Sequence, residues 1–429
     1  MAAMSQIPAQ HFSRRKFLGS SSAALAASWT GTGSVNGAGT ASEQAAVAAG
    51  ELRLDSAPVL QNPGPDGVTV VWAVTRRATG WVEYGETRDL GSRADPVMHG
   101  QHLLEHHVLA VRLEKLKPAT TYYYRAMAAA IDFNANLTWK RGATACSEIF
   151  AFRTPTDSAE DVTFSVINDT HANPQTVPRL FAELLKDPAD YTIWNGDLGI
   201  DAQDAAATDE VVMEHMIRDI LRPAGTAYAA TKPLLFVAGN HDVRSAAAHL
   251  LAKAFTPWNN GPLGRCFVLR HGPLAIVALD TGEDKPDAHG YLGGMGAFEP
   301  YRVAQREWLS QAVGREDFRS APCKIGLMHI PLYGANSCAH SRSQWSTILS
   351  ESGVQLIICG HDHSHRYDPP DAAHRFGQLV GGGPLPQQAT LIRGHATRSG
   401  LAVQMSDLSG KEVWAQTFPV PPAISGNPP

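Results

Sequence analysis

Apolar and polar residues alternate in short segments along residues 52–154, at 68–72, 80–84, 108–111, 121–125 and 149–153. Turn-forming stretches separate these segments, and the clearest is Asn-Pro-Gly-Pro-Asp-Gly at 62–67. An alternation of period two is typical of half-buried strands, because successive side chains of a strand point to opposite faces. About one hundred residues with this pattern predict an N-terminal β-sandwich, with residues 51–155 as its domain.

The pattern changes after a short linker at 155–160. From Asp161 onwards, apolar strand-like runs end in Asp, Asn or His and alternate with helical stretches such as 211–221 and 304–313. Alternating strands and helices are typical of α/β domains, in which functional residues gather at the carboxyl ends of the strands. Residues 160–420 are therefore predicted to form an α/β domain that carries the chemistry.

The first fifty residues differ from the rest of the chain. Ser-Arg-Arg-Lys-Phe-Leu at 13–18 precedes a short apolar stretch at 19–29, and a segment rich in Gly, Ala, Ser and Thr follows to about Gly50. This order resembles a twin-arginine signal, with cleavage expected among residues 37–49. The resemblance implies passage through the twin-arginine export machinery to the periplasm or the exterior; the alternative is a disordered basic tail. No apolar run reaches bilayer length, so no membrane span is expected in the mature chain.

Charge and cysteine content narrow the classes of function. The 429 residues carry a formal net charge of −5 and no run of Lys or Arg that could follow a phosphate backbone. A nucleic-acid partner is not indicated, because proteins that follow a phosphate backbone cluster basic side chains. The five cysteines are odd in number and show no CxxC spacing, which argues against a disulfide framework and leaves a single disulfide pair open.

Five polar motifs follow apolar strand-like runs in the α/β part. In chain order they are Asn168-Asp169-Thr170-His171, Asn195-Gly196-Asp197, Gly239-Asn240-His241-Asp242, His329 and Gly360-His361-Asp362-His363. Any one of them alone would be weak evidence, because polar strand ends are common. All five in this order predict one site assembled at the ends of several strands.

The residue types in these motifs suit a pair of divalent or trivalent metal ions. Carboxylates neutralise the charge of the ions and one of them can bridge both, while imidazole and amide groups fill further positions. In D-x-H and H-x-H, alternate side chains lie on the same side of an extended segment. The glycines before Asp197, Asn240 and His361 permit tight turns that bring ligands and backbone close to a phosphate.

The motif series D-x-H, G-D, G-N-H-D, H and G-H-x-H resembles that of the calcineurin-like metallophosphoesterases over residues 163–363, with weaker similarity to about Pro419. The resemblance implies a four-layer α/β sandwich with two mixed sheets that face each other. In the β-rich part, the phrases at 82–85, 116–122 and 152–154 resemble the fibronectin type III-like N-terminal domain of purple acid phosphatases.

The resemblance also implies a role for each motif residue. It implies two metal ions per chain and a metal-bound hydroxide that attacks the phosphorus of a small-molecule phosphate ester. The implied ligands are Asp169, His171 and His363 for the first ion and Asn240, His329 and His361 for the second. Asp197 would bridge the two ions. His241 would contact the phosphate and protonate the leaving oxygen, with Asp242 orienting it.

Two positions depart from the purple acid phosphatases. Ile200 stands where those enzymes have a charge-transfer tyrosine, and His171 stands where they have glycine. A purple Fe(III) site is therefore not expected. The prediction is a colourless or weakly coloured pair of Fe, Mn or Zn ions.

The sequence leaves the substrate open. The only feature that favours a phosphomonoesterase is the resemblance of the β-rich part to the N-terminal domain of purple acid phosphatases. One alternative is a phosphodiesterase or nucleotide hydrolase of the same superfamily. The other is an exported binding protein with an inactive metal site, and the presence of every ligand position argues against it. Segments 201–232 and 283–300 would shape the pocket. Asn173, His365 and Arg366, close to the metal motifs, are further candidates for substrate contact.

Overall fold

The computed structural model describes residues 50–199, 208–244 and 248–420. The export signal expected in the first fifty residues lies, except for Gly50, outside the described residues, and so does Ile200. Among the helices of the described ranges, none combines the length and the apolar composition needed to cross a membrane.

The N-terminal part is built of two antiparallel sheets on one hydrophobic core. Its strands are β1 (Val59–Gly64), β2 (Gly67–Ala73), β3 (Ala78–Gly85), β4 (Ser92–Ala94), β5 (Val97–Met98), β6 (Gln101–His102), β7 (Val108–Leu113), β8 (Thr121–Phe133), β9 (Trp139–Cys146) and β10 (Phe150–Arg153). One sheet has the order β1-β2-β7 and the other β10-β8-β3-β4, with β9 paired to β8 and β5-β6 as a separate hairpin. Leu109, Val111 and Leu113 of β7 enter the shared core, as alternation predicts.

The remaining strands form two mixed sheets, as the resemblance implied. They are β11 (Asp161–Ile167), β12 (Tyr191–Asn195), β13 (Leu234–Val237), β14 (Phe267–His271), β15 (Leu274–Ala278), β16 (Cys323–Leu327), β17 (Leu356–Cys359), β18 (Arg366–Asp368), β19 (Gly377–Val380), β20 (Thr390–Thr397), β21 (Gly400–Asp407) and β22 (Glu412–Pro419). Sheet A has the order β13-β12-β11-β20-β21-β22 and sheet B the order β14-β15-β16-β17-β19-β18. Each contains parallel and antiparallel pairs. Val166 and Ile193 of sheet A share a core with Ile325 and Ile358 of sheet B.

Helices cover the faces of sheets A and B that point away from this core. They are α1 (Val177–Lys186), α2 (Asp209–Met216), α3 (Arg222–Ala224), α4 (Asn240–Arg244), α5 (Leu251–Ala254), α6 (Phe298–Gly314), α7 (Glu316–Arg319) and α8 (Ala339–Glu351), with π-helical turns at Ile217–Leu221 and Gly225–Ala229. Phe181 of α1 packs on Trp194 of sheet A. On sheet B, Leu309 of α6 and Trp345 of α8 share a cluster with Ile357. The layers therefore run helix, sheet, sheet, helix.

The five polar motifs all follow parallel strands. In sheet A, β11, β12 and β13 run parallel to one another, and in sheet B the same holds for β15, β16 and β17. Parallel strands end at the same edge of a sheet, so each sheet gathers its motifs at one edge. The two sheets face each other, and this places the five motifs within reach of one another.

The five cysteines all lie in the described ranges, and none is bonded to another. Cys146 is exposed and the other four are buried. Burial raises the pKa of the Cys323 thiol to about 11, so this thiol stays protonated near neutral pH and is a poor metal ligand. The single disulfide pair that the sequence left open is not formed.

The β-rich part packs directly on the α/β part. Val71 and Val108 lie in the same apolar cluster as Ile220 and Leu221. A buried polar contact fixes this packing, because the hydroxyl of Tyr124 donates a hydrogen bond of 2.8 Å to the carbonyl oxygen of Ala230. Burial holds the pKa of this hydroxyl well above its ordinary value, so it remains a donor.

Replacement of Tyr124 by Phe is expected to lower the free energy of unfolding by about 1–2 kcal/mol, because the buried carbonyl of Ala230 loses its donor. Urea denaturation followed by fluorescence measures this change. Tyr123→Phe is the matched control, because the Tyr123 hydroxyl makes no hydrogen bond within the described residues and the ring is half-buried. Equal effects of the two substitutions would contradict the assigned contact.

Candidate metal centre

The structure brings the predicted metal ligands into two groups that share one aspartate. Asp169, His171, Asp197 and His363 form the first group, and Asp197, His329 and His361 form the second. Within each group, the ligand atoms lie within 4.8 Å of one another. Asp197 is therefore the only carboxylate common to both groups among the described residues, in the position that a bridging ligand would take.

Short distances link the members of each group. In the first, Nε2 of His363 lies 3.2 Å from Nε2 of His171 and 3.6 Å from Oδ1 of Asp169. In the second, Nδ1 of His361 lies 2.9 Å from Oδ1 of Asn240. Asn240, the amide ligand implied by the resemblance, therefore stands at the second group.

His329 presents one nitrogen as a ligand and uses the other to fix its ring. Nδ1 lies 2.9 Å from the carbonyl oxygen of Asn195 and donates to it. Nε2 is buried, lies 3.1 Å from Oδ2 of Asp197 and has no aligned hydrogen bond within the described residues. A metal-binding histidine shows this arrangement, in which a hydrogen bond at one nitrogen sets the tautomer and leaves the other free to coordinate.

The donor set fits a metal ion of borderline hardness. It consists of imidazole nitrogens, carboxylate oxygens and one amide oxygen, without a thiolate among the described residues of either group. Such donors suit Zn, Fe and Mn. The two groups could thus hold the metal ions that the sequence predicted.

The glycines in the motifs are required by close approach between strands. A Cβ on Gly196 would lie 2.2 Å from Nδ1 of His329, and a Cβ on Gly360 would lie 2.3 Å from Oδ2 of Asp169. Each glycine therefore makes room for a ligand from the other sheet. The sequence predicted tight turns at these positions, and the structure adds the reason why a side chain is excluded.

Several ligands adopt a backbone conformation that is rare for residues other than glycine. The positive φ angles are 52° for Asp169, 44° for His171, 51° for Asp197, 74° for His361 and 50° for His363. Left-handed backbone at such residues costs on the order of 1 kcal/mol or more each and persists only where the surroundings enforce it. In the described α/β part, Ala172 is the only other non-glycine residue with a positive φ, so the strain of that part is concentrated at the predicted ligands.

Asp242 is one of the groups that enforce this conformation. Its buried carboxylate accepts hydrogen bonds from the backbone N–H groups of Asp197 (3.0 Å), Leu198 (3.0 Å) and Gly239 (2.8 Å). These contacts tie the loop of the shared aspartate to the loop that carries Asn240. The orientation of His241 by Asp242, implied by the resemblance, stays a prediction.

Two asparagines that the sequence analysis did not single out join the motif loops across the two sheets. The side-chain amide of Asn195 donates to the carbonyl oxygens of Met328 and Ile358, both at 3.2 Å. Asn168 donates in the same way to Cys359 at 3.2 Å and Gly381 at 3.0 Å. The signal in the sequence was an asparagine that follows an apolar run and shortly precedes a predicted ligand aspartate.

His241 lies beside the first ligand group. Its ring centroid is 4.8 Å from that of His171, with the rings nearly perpendicular. Its backbone N–H donates to Oδ1 of Asp197 at 2.9 Å. The imidazole is only partly buried, next to the first ligand group.

Buried negative charge dominates the electrostatics of the site. Burial, reinforced by the charge of Asp197, raises the pKa of Asp169 to about 7. Burial by itself would lower the pKa of His329, but the charges of Asp197 and Asp169 outweigh it and raise that pKa to about 10. The site therefore attracts positive charge. In the metal-free protein, a proton on His329 supplies part of that charge.

The other candidates for substrate contact have different surroundings. His365 is exposed. The side-chain oxygen of Asn173 accepts from the backbone N–H of Gln175 at 2.9 Å, which stabilises the turn before α1. Arg366 contacts Asp362, the residue between ligands His361 and His363. None of these contacts points to a substrate.

Arg366 and Asn336 hold Asp362 from two sides. Arg366 pairs with Asp362 and also donates to Asp368 at 3.1 Å and to the carbonyl oxygen of Tyr333 at 2.9 Å. Asn336 donates to the second oxygen of Asp362 at 3.0 Å. The His361–His363 loop is thereby fixed to the loop that follows His329.

A charged cluster lies at the end of helix α4, the helix that begins with Asn240. Arg244 donates to the buried carboxylate of Glu283 at 2.7 Å and to Asp284 at 2.7 Å, and its guanidinium lies 5.2 Å from the ring centroid of Tyr291. Burial lowers the pKa of His361 to about 4, although the charge of Asp284 is among the influences that oppose this shift. Asp284 of this cluster therefore contributes to the electrostatics of the second ligand group.

Comparison with known families places this site in a defined class. The family model described as Calcineurin-like phosphoesterase matches residues 162–365, the stretch that carries every metal motif. This part of the chain is a calcineurin-like phosphoesterase domain, as the order of the motifs predicted.

The similar proteins of known name include two purple acid phosphatases of Arabidopsis thaliana. Purple acid phosphatase 21 is 24% identical over 274 residues, which cover 62% of this chain and 53% of that protein. Probable purple acid phosphatase 20 is 22% identical over 322 residues, which cover 70% of this chain and 66% of that protein. The chain thus spans about half to two thirds of these relatives.

Solved structures show the same fold. A purple acid phosphatase from yellow lupin (Lupinus luteus) seeds has a TM-score of 0.62 at 15% identity, covering 84% of this chain and 74% of that one. PhoD has a TM-score of 0.58 at 12% identity, covering 86% of this chain and 93% of that one. The chain therefore shares its fold with these two proteins.

Metal loading is expected to release protons. At pH 8 the metal-free protein holds a proton on His329, because its pKa is about 10, and a metal ion that takes Nε2 must displace it. About one proton per chain or more should leave at pH 8, and the number should fall as the pH rises through 10. Titration calorimetry with Mn²⁺ in two buffers of different ionisation enthalpy counts these protons. Metal binding without proton release at pH 8 would contradict the assignment of His329.

Loss of Arg366 is expected to weaken metal binding. Arg366→Ala frees Asp362 and loosens the loop of His361 and His363, so the metal dissociation constant should rise about 10–100-fold. Arg366→Lys, which keeps one ion pair, should recover part of the affinity. Arg375→Ala, at an exposed arginine of the neighbouring loop, is the control. Unchanged affinity in Arg366→Ala would show that the pair does not position the ligands.

Proposed function

We propose that this chain is a binuclear metal-dependent hydrolase of phosphate esters and that its preferred substrates are phosphomonoesters. The observation that carries the proposal is the membership of Asp197 in both ligand groups, because two ions that share one carboxylate form the site that in-line phosphoryl hydrolysis uses. The calcineurin-like phosphoesterase domain and the similarity to purple acid phosphatases support it.

In this proposal Asp169, His171 and His363 would hold one ion, Asn240, His329 and His361 would hold the other, and Asp197 would be shared by both. The ions are Fe, Mn or Zn, since the donors are nitrogen and oxygen atoms. When bound, they activate water and neutralise charge on the phosphate oxygens. The buried carboxylates and the close approach at Gly196 and Gly360 support a metal pair at the meeting edges of sheets A and B.

His241 has the proton-transfer role in this proposal. Its backbone is fixed to the shared Asp197 by a hydrogen bond of 2.9 Å, and its ring lies beside that of His171. An imidazole held at this place can contact a phosphate oxygen and give a proton to the leaving oxygen. Asp242 contributes by holding the backbone of both neighbouring loops and, as a further proposal, by orienting His241.

The charges of the rim favour a monoester over a nucleotide. Arg244 and Lys285, the cations of the charged cluster, lie 2.7 Å and 2.5 Å from carboxylate oxygens of Asp284. Carboxylates therefore compensate both cations, and neither adds net positive charge for the further phosphates of a nucleotide. The phosphodiesterase reading stays an alternative that the experiment below separates.

We also propose the domain division and the location predicted from the sequence. Residues 51–155, the β-rich part, would be a fibronectin type III-like domain, and residues 160–420 would be the phosphoesterase domain. The shared core of the two N-terminal sheets supports the first domain, and the family match from residue 162 supports the second. Residues 1–50 would be a twin-arginine signal, and the enzyme would act outside the cytoplasm. The arginine pair at 14–15 and the apolar stretch at 19–29 support export.

The mature protein, loaded with Mn, Zn or Fe, is expected to hydrolyse p-nitrophenyl phosphate faster than bis-p-nitrophenyl phosphate. His241→Ala should lower kcat about 10²–10⁴-fold through the loss of general acid catalysis. Asp197→Asn should abolish activity, because the shared carboxylate is lost. His106→Ala, at an exposed histidine of the β-rich part, is the control and should keep full activity.

The possible outcomes separate the candidate functions. A preference for the diester would favour the phosphodiesterase. Hydrolysis of neither ester by a protein that contains two ions per chain would favour the inactive binding protein. Activity that survives in Asp197→Asn would contradict the proposed metal mechanism.

A further inference from the structure

Residues 280–284 form a loop at the edge of sheet B where the motifs lie, and this loop carries no predicted ligand. It follows β15, which runs parallel to β16, and β16 runs parallel to β17. Parallel strands end at the same edge of a sheet. Asp280, Thr281 and Glu283 are each no more than 1% exposed. Buried polar side chains need partners within the protein, and the partners of this loop include the segments that carry predicted metal ligands.

Glu283 and Arg244 form a buried two-point ion pair. Nε of Arg244 donates to Oε2 of Glu283 at 2.7 Å, and Nη2 donates to Oε1. The Glu283 side chain is fully buried, and that of Arg244 is 20% exposed. The hydrogen bond to Glu283 holds the pKa of the guanidinium above its ordinary value. Two parallel hydrogen bonds fix the direction of the pair as well as its length.

This ion pair holds helix α4 at its end. Arg244 is the last residue of α4, and the helix begins with Asn240 and His241. Asp242 holds the same helix at its centre, because its carboxylate accepts from backbone N–H groups of the neighbouring loops. The ion pair with Glu283 adds a second point. Two points fix the direction of this single helical turn, and with it the places of its first two residues.

The same loop also contacts the segment of His329. Oγ1 of Thr281 accepts from the backbone N–H of Ile330, the residue after His329, at 3.3 Å. Arg302 of α6, which is 1% exposed, holds the loop from the other side. It donates to the carbonyl oxygen of Thr281 at 3.0 and 2.8 Å and to that of Glu283. The loop is therefore anchored to α6 and joins α4 to the segment of His329.

Stability alone does not account for a buried ion pair at this place. The loss of hydration of two buried charges offsets much of their attraction, so apolar side chains of similar size often stabilise a fold equally well or better. A bidentate pair differs from an apolar contact in the geometry that it imposes. The pair of Arg244 and Glu283 is therefore suited to hold α4 in one orientation.

We propose that Glu283 is a positioning residue of the metal centre, which through Arg244 sets the places of Asn240 and His241. This role rests on the proposed function, which gives Asn240 to the second ion and proton transfer to His241. A misplacement of about 1 Å can lower a rate about 10²-fold. A loosened α4 therefore weakens metal binding and slows proton transfer while the fold persists.

Glu283→Gln tests the proposal, because it keeps the size of the side chain and removes its charge. In the metal-loaded protein, kcat for p-nitrophenyl phosphate should fall about 10–100-fold with little change in KM. Titration calorimetry of the metal-free protein should show that the dissociation constant for Mn²⁺ rises about tenfold or more. Glu307→Gln, the same change at an exposed glutamate of α6, is the control and should match the wild type. Unchanged kcat and unchanged metal affinity in Glu283→Gln would overturn the proposal.

An apolar pair separates positioning from stability. Arg244→Met combined with Glu283→Leu leaves no unpaired buried charge, so the free energy of unfolding in urea should return towards that of the wild type. Both kcat and the Mn²⁺ affinity should stay lowered, because an apolar contact does not fix the direction of α4. Recovery of kcat and affinity together with stability would show that the pair is only structural and would overturn the proposal. Arg244→Lys, which keeps the charge and loses the two-point contact, should lower both quantities and replaces Glu283→Gln if that variant does not fold.

Metal binding and catalysis distinguish this proposal from the proposed function. If the wild type binds Mn²⁺ and cleaves neither ester, the proposed function fails, and the dissociation constants of Glu283→Gln and Glu307→Gln still decide the role of Glu283. If the wild type hydrolyses the monoester and Glu283→Gln equals it in kcat and metal affinity, only the positioning role is overturned.

Discussion

Buried negative charge at the meeting edges of two sheets is the constraint on which the rest of this structure depends. Asp169, Asp197 and Asp242 are each no more than 1% exposed, and isolated carboxylates in such surroundings are strongly unfavourable. Three backbone N–H groups compensate Asp242, whereas Asp169 and Asp197 each accept from one backbone N–H group, of His361 and His241, and face imidazoles otherwise. Cations between them are the natural compensation, and the positions of the surrounding histidines and of Asn240 follow from that need.

The fold supplies this arrangement through strand direction and close approach. Parallel strands in both sheets end at the same place. Asn168 and Asn195 join the loops of sheet A to the carbonyl groups of sheet B. Gly196 and Gly360 leave room for ligands from the opposite sheet. The left-handed backbone of the ligands is the energetic cost of this convergence. The β-rich part packs on the α/β part through Val71 and Val108, which share an apolar cluster with Ile220 and Leu221.

The sequence predicted what depends on local pattern. The β-rich region and the polar motifs are visible as alternation or as polar residues after apolar runs, because each signal lies within a few residues. The two mixed sheets were implied by the resemblance of the motif series. Contacts between distant segments were not predictable in this way. Asn195 bonds to carbonyl groups 133 and 163 residues away, and Arg366 was considered for substrate contact although it holds Asp362.

The measurement that tests the central claim most directly is the position of the metal ions in a crystal of the protein grown with Mn²⁺. Anomalous diffraction at the manganese edge locates each ion independently of the protein atoms. The account predicts two ions about 3.5–4 Å apart, with one carboxylate oxygen of Asp197 on each or one oxygen shared by both. A single ion, or two ions that do not share Asp197, would contradict it.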